Sequence, residues 1–115
     1  MTDQPLLGRR ALVTGAAQGI GAAIARRFAA DGADVGVNDL GDDGAVSALA
    51  AEIGGFAAAF DITAPDVAAR VAAIERERGA VDLLVCNAAY MTMAPFGAND
   101  EDDWWKVVDT NLAGT

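Results

Sequence analysis

Short apolar runs alternate along the chain with longer segments in which apolar residues recur every three or four positions. The short runs predict buried β-strands over residues 11–14, 35–38, 56–60 and 81–86. The longer segments predict one helix after each strand. Strands separated by single helices need right-handed crossovers, which place them in one parallel sheet. The pattern therefore predicts an α/β fold with a doubly wound parallel sheet in three α/β/α layers.

Helix boundaries follow from glycines and from polar residues that cap helix ends. The first helix is predicted to begin near Gly19, and Gly79 is expected to end the third. Thr63 is expected to cap the start of that third helix, because a proline follows in the first turn. The fourth helix is predicted to begin near Asn99 or Asp100. Each boundary leaves a short loop, so we see no linker between domains.

Composition narrows the possible classes of protein. The 115 residues are 53% hydrophobic, which suits a single domain over residues 1–115. A formal net charge of −9 argues against nucleic-acid binding, since phosphates would be repelled. The chain has no histidine and one cysteine, Cys86, which argues against a metal site and a disulfide. We interpret residues 100–103 as a solvated helix start rather than metal ligands, and Cys86 as a buried apolar residue.

The same features bear on location. No apolar run is long enough to cross a bilayer, and the first ten residues lack the apolar segment of a signal peptide. A lone cysteine fits a reducing compartment. We therefore expect a cytoplasmic protein that does not bind a membrane.

The segment from Thr14 to Gly21, TGAAQGIG, lies between the first strand and the first helix. Gly15 permits a tight turn, Gly19 lets a pyrophosphate approach the backbone, and Gly21 lets the helix lie close to the strand. The free N–H groups of the helix start would then bind the phosphates. The alternative is a purely structural turn in which small residues allow close packing.

The spacing Thr-Gly-x-x-x-Gly-x-Gly resembles that of the short-chain dehydrogenase/reductase family. The resemblance covers nearly the whole chain and implies a Rossmann-like fold of which the N-terminal portion is present. Further matches are Asp61-Ile62, Asn87-Ala88, and the pattern of Trp104, Val107 and Asn111. The cofactor-binding residues that the motifs imply are Thr14, Gly15, Gln18, Gly19, Ile20, Gly21, Asp39, Leu40, Asp61, Ile62, Asn87, Ala88 and Ala89.

Asp39 follows the second predicted strand, where a carboxylate accepts hydrogen bonds from the adenosine ribose hydroxyls. The same charge would repel the 2′-phosphate of NADP. Family members that use NADP usually have a basic residue at the place of Asp39-Leu40 or at that of Gln18. We therefore expect NAD rather than NADP, with a capping aspartate as the alternative for Asp39.

The resemblance assigns further roles. The carboxylate of Asp61 would hold the adenine amino group and the Ile62 N–H would meet a ring nitrogen, although Asp61 could instead only start a turn. The stretch from Asn87 to Ala89 would run along the cofactor ribose, with Ala89 replacing the family glycine. Asn111 matches the asparagine of the catalytic tetrad, whose backbone carbonyl holds a water of the proton relay.

The family also needs a serine, and a tyrosine followed four residues later by a lysine. Tyr90 is followed by Ala94 at that distance, Lys106 stands apart, and Ser47 falls in the second helix. We therefore expect the 115-residue chain to be inactive by itself. We also expect either a truncated record of a longer protein or a partner that covers the open edge of the fourth strand.

Three functions remain open. The first is NAD-dependent hydride transfer to or from an alcohol or ketone, by a protein that forms a homo-oligomer, either a dimer or a tetramer. The second is a catalytically inactive nucleotide-binding or interaction module. The third, a methyltransferase that uses S-adenosylmethionine, also has a glycine turn, but the glycine spacing and Asn111 argue against it. The sequence does not identify the substrate.

Overall fold

The structure is a computed structural model that describes residues 3–115. These residues form four strands, β1 (Arg10–Val13), β2 (Asp34–Val37), β3 (Phe56–Ala57) and β4 (Leu83–Val85). They also form four α-helices, α1 (Gly19–Ala30), α2 (Ala45–Ile53), α3 (Val67–Arg78) and α4 (Glu101–Val108). A short 3₁₀-helix (Phe96–Ala98) precedes α4, and a π-helical turn (Asp109–Ala113) continues it.

All strand pairs are parallel, and their order in the sheet is β3-β2-β1-β4. The chain moves outward from β1 to β3 and then returns to the other side of β1. In doubly wound sheets, ligands bind in the crevice outside the carboxyl ends of the strands where this direction reverses. The predicted doubly wound parallel sheet is confirmed, and the reversal lies between β1 and β4.

Two apolar clusters cover the two faces of the sheet. Ala11 and Val13 of β1 pack with α1 and α2, whereas Leu12 faces the other side. That second cluster contains Phe56 and Phe60 together with residues of α3 such as Val71. Successive side chains of a strand alternate between faces, so β1 serves both clusters. The helices α1 and α2 therefore lie on one face of the sheet and α3 lies on the other.

Some predicted boundaries were wrong. Pairing of β3 ends at Ala57 rather than at residue 60, because the following carbonyls bind the side chain of Asn38. Thr63 does not cap α3. Its N–H and hydroxyl both donate to the Asp61 carboxylate, so α3 begins at Val67. The predicted start of α4 is confirmed, because the side chain of its cap residue Asp100 accepts from a backbone N–H.

The outer side of β4 has no strand partner among residues 3–115. Leu84 of β4 is 61% exposed, so the prediction of a buried strand was wrong at this residue. Cys86 is exposed, and its predicted burial was also wrong, since it follows β4 at this uncovered edge. The described residues include no helix with the length and apolar character that a membrane crossing requires.

Candidate functional site

A cavity of about 880 Å³ opens at the carboxyl ends of the strands. Its walls are the glycine turn, the segments after β2, β3 and β4, and one face of α4. Eleven of the thirteen predicted cofactor-binding residues line it, namely Gly15, Gln18, Gly19, Ile20, Asp39, Leu40, Asp61, Ile62, Asn87, Ala88 and Ala89. Thr14 and Gly21 are buried behind the turn. Asn111 is not among the lining residues.

The three glycines of the turn have different surroundings. A Cβ on Gly15 would lie 2.8 Å from the Ala88 Cα, and a Cβ on Gly21 would lie 2.4 Å from the Gly15 carbonyl oxygen. Both positions therefore need glycine for close packing. Gly19 has φ +60°, and no heavy atom of the described residues lies within 4 Å of its hypothetical Cβ. Its open side faces the cavity, so a ligand can approach the backbone there.

The N-terminus of α1 meets the cavity next to Gly19. Its N-cap residue, Gln18, has an extended backbone and makes no side-chain capping bond within the described residues. The first N–H groups of a helix have no intrahelical partner and carry a partial positive charge. Because the described first turn of α1 also has no acidic side chain, these N–H groups can bind an anion.

Thr14 and Asn87 hold the turn against the end of β4. The Thr14 hydroxyl accepts hydrogen bonds from the backbone N–H groups of Asn87 and Ala88, each at 3.0 Å. The amide of Asn87 donates to the carbonyls of Thr14 and Gly15, at 3.0 and 3.1 Å. These bonds fix the shape of the turn between the two strands.

The Asp39 carboxylate is fixed at the end of β2. It accepts hydrogen bonds from the Ala17 N–H at 3.1 Å and from the Leu40 N–H at 2.8 Å. Asp39 also lines a neighbouring depression of about 550 Å³, together with Asp42 and Asp43. The described lining of this depression includes no arginine or lysine. It is therefore a negatively charged region beside the main cavity.

Asp61 both starts a turn and lines the cavity. Its Oδ1 accepts from the Thr63 N–H at 2.8 Å and from the Thr63 hydroxyl at 2.7 Å. These bonds, the hydroxyl first, hold the pKa of the Asp61 carboxyl below its ordinary value, and the charge of Lys106 adds to the effect. The carboxylate is thus ionised, and the turn that was the alternative interpretation does exist.

Asn38, which no predicted motif includes, also lines the cavity. It is only 1% exposed, and its amide donates to the carbonyls of Ala58 and Phe60, at 2.8 and 3.2 Å. Its own carbonyl accepts from the Ala16 N–H at 2.7 Å. The signal in the sequence was a polar amide that ends an apolar strand directly before Asp39.

Asn111 fastens the π-helical turn to the loop after β4. Its side-chain oxygen accepts from the Tyr90 N–H at 2.7 Å, and its amide donates to the Tyr90 carbonyl at 2.8 Å. The Tyr90 hydroxyl donates to Asp103, and the Lys106 ammonium lies 4.2 Å from the ring centroid. Burial and the nearby Asp103 raise the pKa of Tyr90. This environment favours the protonated phenol.

This chain belongs to the short-chain dehydrogenase family, since it matches the family described as short chain dehydrogenase over residues 9–115. Galactitol 2-dehydrogenase of Agrobacterium fabrum is 43% identical over 107 residues, which cover 90% of this chain and 41% of that protein. The resemblance inferred from the glycine spacing is therefore confirmed.

Two solved structures have the same fold. Gluconate 5-dehydrogenase from Burkholderia cenocepacia, in complex with NADP and tartrate, has a TM-score of 0.86 and 36% identity, covering 98% of this chain and 46% of that one. A blue fluorescent protein from a metagenomic library, in complex with NADPH, has a TM-score of 0.84 and 36% identity, covering 96% and 48%. The chain thus spans less than half the length of these relatives.

Proposed function

We propose that residues 1–115 form the cofactor-binding domain, incomplete at its C-terminal end, of an NAD-dependent dehydrogenase that acts on an alcohol or ketone. One observation carries the proposal: the open side of Gly19, at the N-terminus of α1, and the fixed carboxylate of Asp39 line the same cavity. A diphosphate fits the first feature and a ribose with free hydroxyls fits the second.

The lining residues fit the parts of a dinucleotide. Backbone N–H groups at Gly19 and Ile20 would hold the diphosphate, and Asp39 would accept from the adenosine ribose hydroxyls. Asp61 and the following backbone would hold the adenine. The segment from Asn87 onward would lie along the second ribose. When bound, the nicotinamide ring supplies the hydride chemistry.

Charge supports NAD over NADP. A 2′-phosphate on the adenosine ribose would meet the carboxylates of Asp39, Asp42 and Asp43, and the described lining of the depression holds no basic residue to compensate. Like charges within a few ångströms disfavour each other. The gluconate dehydrogenase and the metagenomic protein were solved with NADP and NADPH, and these two neighbours favour NADP over the NAD proposed for this chain. The proposal rests on the local charge of this chain.

A titration of the full-length protein with NAD and with NADP, followed by calorimetry, tests the proposal. We expect saturable binding of NAD and at least tenfold weaker binding of NADP. Tighter binding of NADP would overturn the cofactor assignment. Binding of neither would overturn the function itself, and binding of S-adenosylmethionine would support the methyltransferase alternative.

We infer that the 115 residues alone do not catalyse hydride transfer. The hydroxyl of Tyr90, the single tyrosine, donates a hydrogen bond to Asp103. The pKa of Tyr90 is raised, whereas a general base needs a lowered pKa. By itself the chain would be a nucleotide-binding module, the second function considered. An absorbance assay for reduced nicotinamide separates the two, because the full-length protein should oxidise a substrate and the 115-residue piece should not.

The relatives suggest a class of substrates. The names of the relatives mention galactitol and gluconate, so polyhydroxylated alcohols are the first substrates to test.

We also propose a cytoplasmic homo-oligomer, a dimer or a tetramer. The exposed thiol of Cys86 suits a reducing compartment. The half-exposed rings of Trp104 and Trp105 on α4 suit a contact between subunits. Sedimentation of the full-length protein tests the assembly.

A further inference from the structure

The side chain of Asn38 takes over where the hydrogen-bond ladder between β2 and β3 ends. The last paired residues are Val37 and Ala57. Beyond them, the Asn38 amide nitrogen donates to the carbonyls of Ala58 and Phe60, at 2.8 and 3.2 Å. With 1% exposure, Asn38 has little access to water, so these bonds replace solvation of the amide.

This arrangement keeps the segment after β3 parallel to β2 although it is no longer a strand. The Ala58 N–H donates to the Val37 carbonyl at 2.9 Å, and the Phe60 N–H donates to the Asp39 carbonyl at 3.0 Å. The Asn38 amide binds the two carbonyls of the same segment. A side-chain amide has two N–H donors on one nitrogen, and these match the carbonyls of Ala58 and Phe60, which accept hydrogen bonds on one side of the segment. The chain then reaches Asp61 in a fixed position.

The backbone of Asn38 binds the other neighbour of β2. Its N–H donates to the Val13 carbonyl at 3.0 Å, and its carbonyl accepts from the Ala16 N–H at 2.7 Å inside the glycine turn. One buried residue therefore connects the glycine turn, the Asp39 carboxylate that follows it, and the segment that leads to Asp61. All three line the same cavity.

We propose that Asn38 is a positioning residue that sets the spacing between the Asp39 and Asp61 carboxylates, and that this spacing gives the site its affinity for the adenosine half of the cofactor. The inference rests on the proposed function. Asn38 acts through its neighbours, because its amide nitrogen is committed to backbone carbonyls. Loss of the amide should therefore affect adenosine recognition more than nicotinamide recognition.

The test compares Asn38→Ala and Asn38→Asp in the full-length protein by calorimetric titration with NAD, AMP and nicotinamide mononucleotide. Asn38→Ala should weaken the binding of NAD and of AMP about tenfold, since two hydrogen bonds are lost. Asn38→Asp should weaken them further, because a carboxylate would face the two carbonyls. Affinity for nicotinamide mononucleotide should change less than twofold. Asn38→Ser, with one donor, should lie between the wild type and Asn38→Ala.

A matched control separates positioning from general loss of stability. Val46→Ala truncates a fully buried side chain on α2 that lines neither the cavity nor the acidic depression, and it should lower Tm without a change in NAD affinity. In an Asp61→Ala background, Asn38→Ala should weaken NAD less than threefold, because coupled residues are not additive. The proposal would be overturned if Asn38→Ala and Val46→Ala lost NAD affinity equally. It would also be overturned if Asn38→Ala weakened the binding of NAD and of nicotinamide mononucleotide equally.

A second readout does not depend on the cofactor. Hydrogen exchange of the Phe60 amide should accelerate in Asn38→Ala much more than in Val46→Ala, since the segment after β3 loses its support. Unchanged exchange at Phe60 would contradict the positioning role even if NAD binds. If the wild type binds no nucleotide but this exchange effect appears, the proposed function fails while the structural part of the inference stands.

Discussion

Replacement of Asp39 by alanine should reverse the cofactor preference. In the structure the carboxylate is held by the N–H groups of Ala17 and Leu40 at 3.1 and 2.8 Å, and it lines both the cavity and the acidic depression. A hydrogen bond to a charged group contributes about 1.5–3 kcal/mol. Loss of one such bond to the ribose should weaken NAD by about 10- to 150-fold.

The same change should improve NADP. Asp39 is partly exposed, so the interaction with a 2′-phosphate is closer to the value in water, about 1 kcal/mol at 4 Å, than to that of a protein interior. Relief of this repulsion should strengthen the binding of NADP about fivefold. The ratio of the two dissociation constants should therefore shift by about 50-fold or more. The repulsive part should shrink in high salt, which screens exposed charges.

Calorimetric titration of the full-length protein with both cofactors measures this shift. Asp66→Ala is the matched control, because it removes one carboxylate at the residue that precedes α3, which is not a lining residue of the cavity. It should leave both dissociation constants within about twofold. A ratio that changes less than threefold in Asp39→Ala, or a change of equal size in Asp66→Ala, would refute the reasoning about charge.

Three further predictions concern the glycine turn, the residue before β4 and the π-helical turn after α4. Gly21→Ala should destabilise the fold by about 1–3 kcal/mol in urea unfolding. Gly19→Ala should cost about 1–2 kcal/mol, because Gly19 has φ +60°, and should in addition abolish NAD binding. If the two variants changed stability and NAD affinity equally, that result would argue against distinct roles for Gly19 and Gly21. The backbone N–H of Arg10 holds the pKa of the Asp82 carboxyl below its ordinary value. The ionised Asp82 therefore stabilises the fold at neutral pH, and this contribution is lost as pH falls through the lowered pKa. The stability difference between wild type and Asp82→Asn should therefore vanish in acid, and a difference independent of pH would contradict this. Asn111→Ala should accelerate hydrogen exchange in the loop after β4, and unchanged exchange would argue against its anchoring role.

Local patterns were sufficient for the sheet and for most of the helix ends. The start of α1 at Gly19 and the end of α3 before Gly79 follow from backbone preferences that a few adjacent residues determine. The positions of the cavity walls follow from topology, because parallel strands bring their carboxyl ends to one edge. Most of the predicted cofactor-binding residues therefore lie together around one cavity.

The remaining features depend on partners that are distant in the sequence. The short length of β3 reflects a side chain twenty residues away, that of Asn38, which binds carbonyls a strand would otherwise use. The bonds from the Asn111 side chain to Tyr90 span 21 residues, and nothing in the helical pattern indicates them. The exposure of Leu84 and Cys86 depends on what lies beside β4. Single-sequence periodicity records none of these contacts.

The central claim is that the backbone at the N-terminus of α1 binds a dinucleotide. Backbone amide chemical shifts of the isotope-labelled full-length protein, followed during a titration with NAD, test it most directly. We expect saturable shifts at Gly19, Ile20 and Gly21, with a matching response at the Leu40 amide next to Asp39. Saturable binding that leaves these amides unmoved, and shifts a different surface instead, would contradict the claim.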